Sequence, residues 1–153
     1  MLDLTLITVG KIKDKNHREI AENYLKRLKP FGRLEIIEVK AESFNASTKE
    51  KAKKEEAERL QEILNKKNSS TIFLLAEDGS EHDSLSFAKS LEKINGPIIL
   101  IIAGALGWNQ EFRNKYPKIS LSKLTMPHEL ARVVLLEQVY RVALILANKE
   151  YHY

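Results

Sequence analysis

The sequence predicts an α/β fold on a mostly parallel sheet flanked by helices. Three observations carry that expectation. Five short β-rich runs, Leu4–Val9, Leu34–Lys40, Thr71–Ala76, Pro97–Ala103 and Lys118–Leu121, alternate with helical patterns. The fourth contains "PIILII", apolar throughout, as suits a central parallel strand covered on both faces. The last helical pattern is apolar on nearly every side, which marks a helix buried nearly all round.

Taken in order, the start "MLDLTLITVGKIK" has an acid at Asp3 and too short an apolar run for a signal peptide, so it reads as the first strand. Ile20, Tyr24, Leu25 and Leu28 then recur at helical spacing. Ser47 with Glu50 has the pattern of a capping box ahead of a long helix carrying Leu60, Ile63 and Leu64. The charges of that helix, "KEKAKKEEAERLQEILNKK", read as a solvated face laced with i,i+4 pairs. Asp83 or Ser84 can cap a helix with Leu85, Ala88 and Leu91 on one face, and Asn109 a short one through Phe112. Pro127 fits an initial helical position. From Leu130 to Leu146 the last helix then needs cover on several faces, so a homodimer is expected.

Composition sets outer bounds. A chain of 153 residues is the length of one domain, here 1–153, and can bury a core without staples. It contains no cysteine, which excludes disulfides and thiolate metal sites. No apolar run approaches the roughly 18–20 residues of a membrane span. A soluble, cytoplasmic protein without membrane partners is expected. The net charge is +4, yet Lys11 to Arg33 alone holds eight Lys/Arg against Asp14, Glu19 and Glu22, a local excess of +5. Such a basic stretch suits a polyanionic partner such as nucleic acid, and equally a solvated helix face.

The candidate chemistry lies at strand ends, because ligands of parallel α/β sheets gather at carboxyl ends. "LLAEDG" closes with Gly79, "LIIAGALG" with Gly104 and Gly107, and "ISLSKLTMP" dissolves into serines, a lysine and a threonine. Small residues let a ligand approach the main chain. Together these loops suggest a backbone-lined pocket for an adenine-like ring. The dinucleotide fingerprint, the P-loop and the nucleophile elbow are all absent. His17, His82, His128 and His152 show no metal-ligand spacing, so no metal is expected. A pocket without a phosphate cradle favours a phosphate-free cofactor such as S-adenosyl-L-methionine.

"LSKLTMPHELARVVLLEQVYRV" and the terminal "YH" resemble the RlmH-type methyltransferases of the SPOUT superfamily, and the likeness spans the whole chain from "ITVGKIK". The resemblance implies a SPOUT-like α/β knot with a five- to six-stranded sheet and a C-terminal trefoil knot, against the general avoidance of knots. It also implies S-adenosylmethionine-dependent methylation of N3 of a pseudouridine in large-subunit (23S) ribosomal RNA, by an obligate homodimer on the assembled ribosome. Family cofactor contacts fall on Leu75, on Ala103 and Gly104, and on Leu121, Ser122, Lys123, Leu124, Thr125 and Met126. Small or hydroxylated side chains at Ser120, Ser122 and Thr125 would keep that main chain reachable.

Two positions depart from the family. Ala103 stands where a glycine is usual and is compatible with a backbone contact only at negative φ. Tyr153 replaces a terminal Lys or Arg, exchanging a phosphate partner for an aromatic ring able to stack on an RNA base. His152, whose ordinary pKa of about 6.5 lies near working pH, is the candidate base, with Tyr151 beside it. Arg132 is a candidate phosphate ligand or a helix-surface ion pair, and Glu137 with Arg141 an i,i+4 structural pair. Two alternatives stand beside this reading: a knotted ribose 2′-O RNA methyltransferase, and a non-catalytic ribosome-binding factor on the same scaffold.

Overall fold

The computed structural model describes residues 1–149. Its five strands are β1 (Leu2–Val9), β2 (Gly32–Val39), β3 (Thr71–Glu81), β4 (Ile98–Ile102) and β5 (Lys118–Ser120). They form one sheet in the order β2-β1-β4-β3-β5, and every pairing is parallel. The connecting helices are α1 (Lys15–Leu28), α2 (Lys49–Asn65), α3 (Ser84–Glu92), α4 (Gln110–Arg113) and α5 (His128–Leu146). No helix among the described residues is long and apolar enough to cross a membrane.

Side-chain alternation divides the core into two layers. Leu4, Leu6, Ile98, Leu100 and Ile102 pack with α1, α3 and α5 on one face of the sheet. Ile7, Val9, Ile99 and Ile101 pack with Leu60 and Leu64 of α2 and Phe112 of α4 on the other. All five residues of β4 are buried, as its unbroken apolar run requires. Helix α5 contacts both α1 and α3. Its apolar girth is therefore largely covered within one chain, more than the reading from sequence supposed.

Local signals decide the helix starts, with three differences from expectation. Asp14, Asp83 and Asn109 cap α1, α3 and α4 by accepting the N–H groups of His17, Ser86 and Phe112. In α3 it is Phe87, not Leu85, that is buried with Ala88 and Leu91. The Ser47–Glu50 capping box does not form. The Asn45 side-chain oxygen instead accepts the N–H groups of Ser47 at 3.0 Å and Thr48 at 3.1 Å, so that α2 begins after Thr48. Pro127 sits one position before the expected one, as the residue flanking α5, where its carbonyl accepts Ala131 N–H at 2.9 Å.

Strand β3 also runs further than Ala76. Leu74 and Leu75 pair with Lys118 and Ile119; after an irregularity, Ser80 and Glu81 pair with Ile119 and Ser120. Gly79, expected at a ligand-facing strand end, lies against the main chain of β5, where an added Cβ would sit 2.6 Å from the Ile119 carbonyl carbon. Its smallness serves strand packing.

Among the described residues, Glu56 is the one buried carboxylate. It is 4 % exposed, with Oε2 accepting Glu42 N–H at 3.0 Å and Oε1 lacking a hydrogen-bond partner. Burial raises its pKa above the ordinary 4.5. A carboxyl with a higher pKa folded than unfolded costs stability progressively as pH rises above the ordinary value. Glu56→Gln should therefore raise the melting temperature at pH 8 by a few degrees, with the gain vanishing near pH 4. Melting curves across that pH range would check it; an equal effect at both pH values would mean the charge is not what matters.

Candidate functional site

The middle of β3 and the carboxyl ends of β4 and β5 bound one cleft of about 600 Å³, within the usual range for small-molecule sites. Its walls are Leu75 to Glu77 within β3, the stretch from Ile102 to Trp108 at and after the end of β4, and the loop from Leu121 to His128 after β5, with Ala131 of α5 completing them. The three stretches converge because the strands do. Leu74 pairs with Ile101 on β4 and with Lys118 on β5, so β4 and β5 end at nearly the level of the 75–77 stretch of β3.

Of the residues singled out from sequence, Leu75, Ala103, Gly104, Leu121, Ser122, Leu124, Thr125 and Met126 line this cleft together. Lys123 does not. Its side chain is exposed and its ammonium lies 3.3 Å from Glu81. Ala103 meets its condition of negative φ, since Asn148 is the one described non-glycine residue at positive φ. Ser120 is buried, with its hydroxyl lacking a partner among the described residues. Ser122 Oγ accepts Leu124 N–H at 3.0 Å, a local turn that shapes the loop. Tyr151, His152 and Tyr153 lie outside the described residues.

Glycines 104 and 107 do different work. A Cβ on Gly104 would come within 3.0 Å of Val9 Cγ1 and 3.3 Å of the Val9 carbonyl oxygen, so this residue is small for the sake of β1. Gly107 has φ +74°, and its N–H closes a turn on the Gly104 carbonyl at 3.0 Å. Sequence reading missed Trp108, Glu77 and Ala131 as lining residues. A tryptophan just after "GALG" gave a signal only to an eye looking for a wall.

Polar anchors hold the start of α5 beside the cleft. Glu129 Oε1 accepts the N–H groups of Lys13 at 2.7 Å and Asp14 at 3.0 Å. The hydrogen bond from Asp14, with that from Lys13, keeps this carboxyl below its ordinary range against the opposing desolvation. Arg132 is turned inward. It is 8 % exposed, and Nη1 donates to Glu38 Oε2 at 3.0 Å and Thr8 Oγ1 at 3.4 Å. The guanidinium expected for RNA phosphate is thus occupied in tying α5 to the ends of β1 and β2. Glu137 and Arg141 pair at 2.6 Å, as their spacing predicted.

Comparison with known proteins bears on what such a cleft does. The family profile described as "Predicted SPOUT methyltransferase" matches residues 2–152. The chain belongs to the SPOUT methyltransferase family. Similar proteins named ribosomal RNA large subunit methyltransferase H include one from Ruminiclostridium cellulolyticum, 39% identical with 99% of each chain covered. Another, from Oenococcus oeni, is 40% identical over 99% of each. Among solved structures, a probable methylase family protein from Haemophilus influenzae Rd KW20 superposes with a TM-score of 0.60 at 12% identity. That alignment covers all of this chain and 72% of the other, and it supports the SPOUT fold alone. Membership makes the protein a methyltransferase and fits a cleft at the carboxyl ends of a parallel sheet.

Removing the inward arginine should be a stability lesion. Arg132→Ala should cost about 2 kcal/mol, the scale of a charge-assisted hydrogen bond, read by chemical denaturation. A double-mutant cycle with Glu38→Gln should recover most of that loss as coupling. An Arg132→Ala protein of full stability with weakened RNA binding would restore the phosphate role.

Proposed function

We propose that this SPOUT protein methylates N3 of a pseudouridine in large-subunit (23S) ribosomal RNA, using S-adenosyl-L-methionine, as a homodimer acting on the assembled ribosome in the cytoplasm. The observation that carries the donor is the composition of the cleft. Among its seventeen lining residues are one acid, Glu77, and one histidine, His128, but no Lys or Arg. No lysine or arginine there would pair with a phosphate, whereas a cofactor of net positive charge without phosphate suits apolar walls and one carboxylate. The volume is sufficient for such a molecule. The RNA substrate is supported by the relatives' names and by the long motif from Ser120 to Arg141.

When bound, S-adenosylmethionine supplies an electrophilic methyl group on a sulfonium. The loops at 103–107 and 121–126 hold that donor through main-chain atoms, and Leu75 closes the wall between them. Holding nucleophile and methyl group in line does most of the catalytic work. The N3–H of pseudouridine must lose its proton for the nitrogen lone pair to attack, and His152 takes it, with Tyr151 beside it and Tyr153 available to stack on a base. The exposed cations of Lys11 to Arg33 extend the footprint on RNA.

Reach supports the homodimer. Helix α5 begins at the cleft with His128 and runs 19 residues, a span of about 28 Å at about 1.5 Å per residue. Lys149, past its far end, places Nζ 5.0 Å from the centre of the Phe31 ring. Three further residues to His152 add at most about 11 Å of extended chain. On this reading His152 serves the cleft of a second copy. Exposed Ile20 and Leu130, on the helices α1 and α5, supply apolar surface for such a contact.

Two variants test this reading together. Ala131→Phe should fill the cleft and abolish calorimetric binding of S-adenosylmethionine while the fold survives, a cleaner probe than any change at Gly104. His152→Ala should keep cofactor affinity and lose most methyl transfer to ribosomes lacking the modification. Each homodimer alone should be inactive, and mixed subunits should recover part of the activity, because one intact cleft then meets one intact histidine. A mixture that stays silent despite subunit exchange would overturn the shared site, and wild-type turnover by His152→Ala would remove the histidine's role.

A further inference from the structure

Beyond Leu74 and Ile101, strands β3 and β4 make no further paired contact: β3 continues beside β5, whereas β4 ends at Ile102, which leaves a gap without ladder hydrogen bonds between β3 and the loop after β4. Trp108 bridges that gap. The turn closed by Gly107 N–H on the Gly104 carbonyl, with Gly107 at positive φ, directs the next residue back toward β3. There the indole Nε1–H donates to the Leu75 carbonyl at 3.0 Å. The ring is itself held from behind. It stacks on Phe112 at 5.9 Å between centroids and 17° between planes, and Phe112 meets Tyr116 at 5.3 Å. The Tyr116 hydroxyl donates to Gln61 Oε1 on α2 at 3.3 Å. An edge of the cleft is thus fastened to the core layer on the α2 face of the sheet.

We infer that Trp108 is a positioning residue for the methyl donor: its indole N–H, braced by the Phe112 stack, fixes the spacing between the 103–107 turn and the middle of β3 and keeps the cleft preformed. This rests on the methyl-donor reading above. A carbonyl oxygen has two lone pairs, so the Leu75 oxygen can accept the indole and still receive a donor group of a ligand. With the clamp closed beforehand, the ordering of two loops does not have to be offset by binding. The clamp acts on the donor-bound state and the transition state alike, and without it the free cleft loosens, so its effect falls on donor affinity and leaves the chemical step alone.

Trp108 is the chain's only tryptophan, which makes it its own reporter. Trp108→Phe keeps an aromatic ring against Phe112 and removes the hydrogen-bond donor. In the full-length dimer this variant should melt with the wild type. It should bind S-adenosylmethionine and S-adenosylhomocysteine about 5- to 10-fold more weakly by calorimetry, the scale of one lost hydrogen bond. The KM for donor should rise in proportion while kcat at saturating donor holds. A variant with unchanged KM and lowered kcat or melting temperature would show a merely structural tryptophan and overturn the assignment. In the wild type, Trp108 emission should shift saturably with either ligand at the calorimetric Kd; constant emission during calorimetrically visible binding would overturn it without any variant. If the wild type binds neither ligand, the methyl-donor reading falls and the clamp with it. Normal wild-type binding with an unaffected Trp108→Phe removes the clamp alone.

Discussion

Everything at the cleft depends on the parallel register of three strands. Leu74 is paired on one side with Ile101 and on the other with Lys118, so β3 holds β4 and β5 at one level and all three carboxyl ends face the same way. Parallel pairing needs long returns across the sheet, and here those returns are the helices that bury both faces. The loops at 102–108 and 121–128, which must turn back into helices, are therefore brought together in space with the 75–77 stretch of β3. The close approaches follow from the same constraint: Gly104 against Val9 at the end of β1, and Gly79 against the main chain of β5.

Charge is distributed so that two tasks stay apart. Four cations around the carboxyl ends are paired, Arg132 with Glu38, Arg113 with Asp78, Arg59 with Glu42 and Lys123 with Glu81. The cleft they surround has no cation in its lining except what His128 can carry. The basic stretch starts where Glu129 binds the Lys13 and Asp14 amides, beside the first turn of α5, and continues along α1. A donor of net positive charge and a polyanionic substrate are thus offered different surfaces that meet at one edge. A phosphate-binding cleft would have mixed the two and lost the distinction.

The alternation of apolar runs and capped helices made the layers legible, because "PIILII" and the buried stripe of α5 have few other ways to be covered. The three loops were legible as small-residue strings, since a site made of main chain leaves its trace in what the side chains omit. What could not be read was the cause of each omission. Gly104 is small for Val9 and Gly79 for β5, and both reasons are long-range. The inward turn of Arg132 depends on Glu38, 94 positions away, and the failed capping box on Asn45, which takes the Ser47 N–H that Glu50 would have accepted. Trp108 escaped because its partner is a carbonyl 33 positions upstream, which no local spacing announces.

A site built from backbone tolerates change in some positions and forbids it in others, and Ala103 shows the division. At negative φ its methyl group demands nothing of the main chain, so the loop presents the same amide and carbonyl groups that a glycine would. A Cβ on Gly104, one residue on, would crowd Val9 of β1 at 3.0–3.3 Å, and Gly107 turns the chain through a conformation that any other residue would strain. Between these fixed points the wall can be finished by whichever side chain reaches across, and in this chain that is an indole. The backbone of the loop is set by the fold, whereas the stiffness of the cleft is set by one side chain. Donor affinity is therefore the property most open to adjustment without disturbing either the sheet or the methyl-transfer geometry.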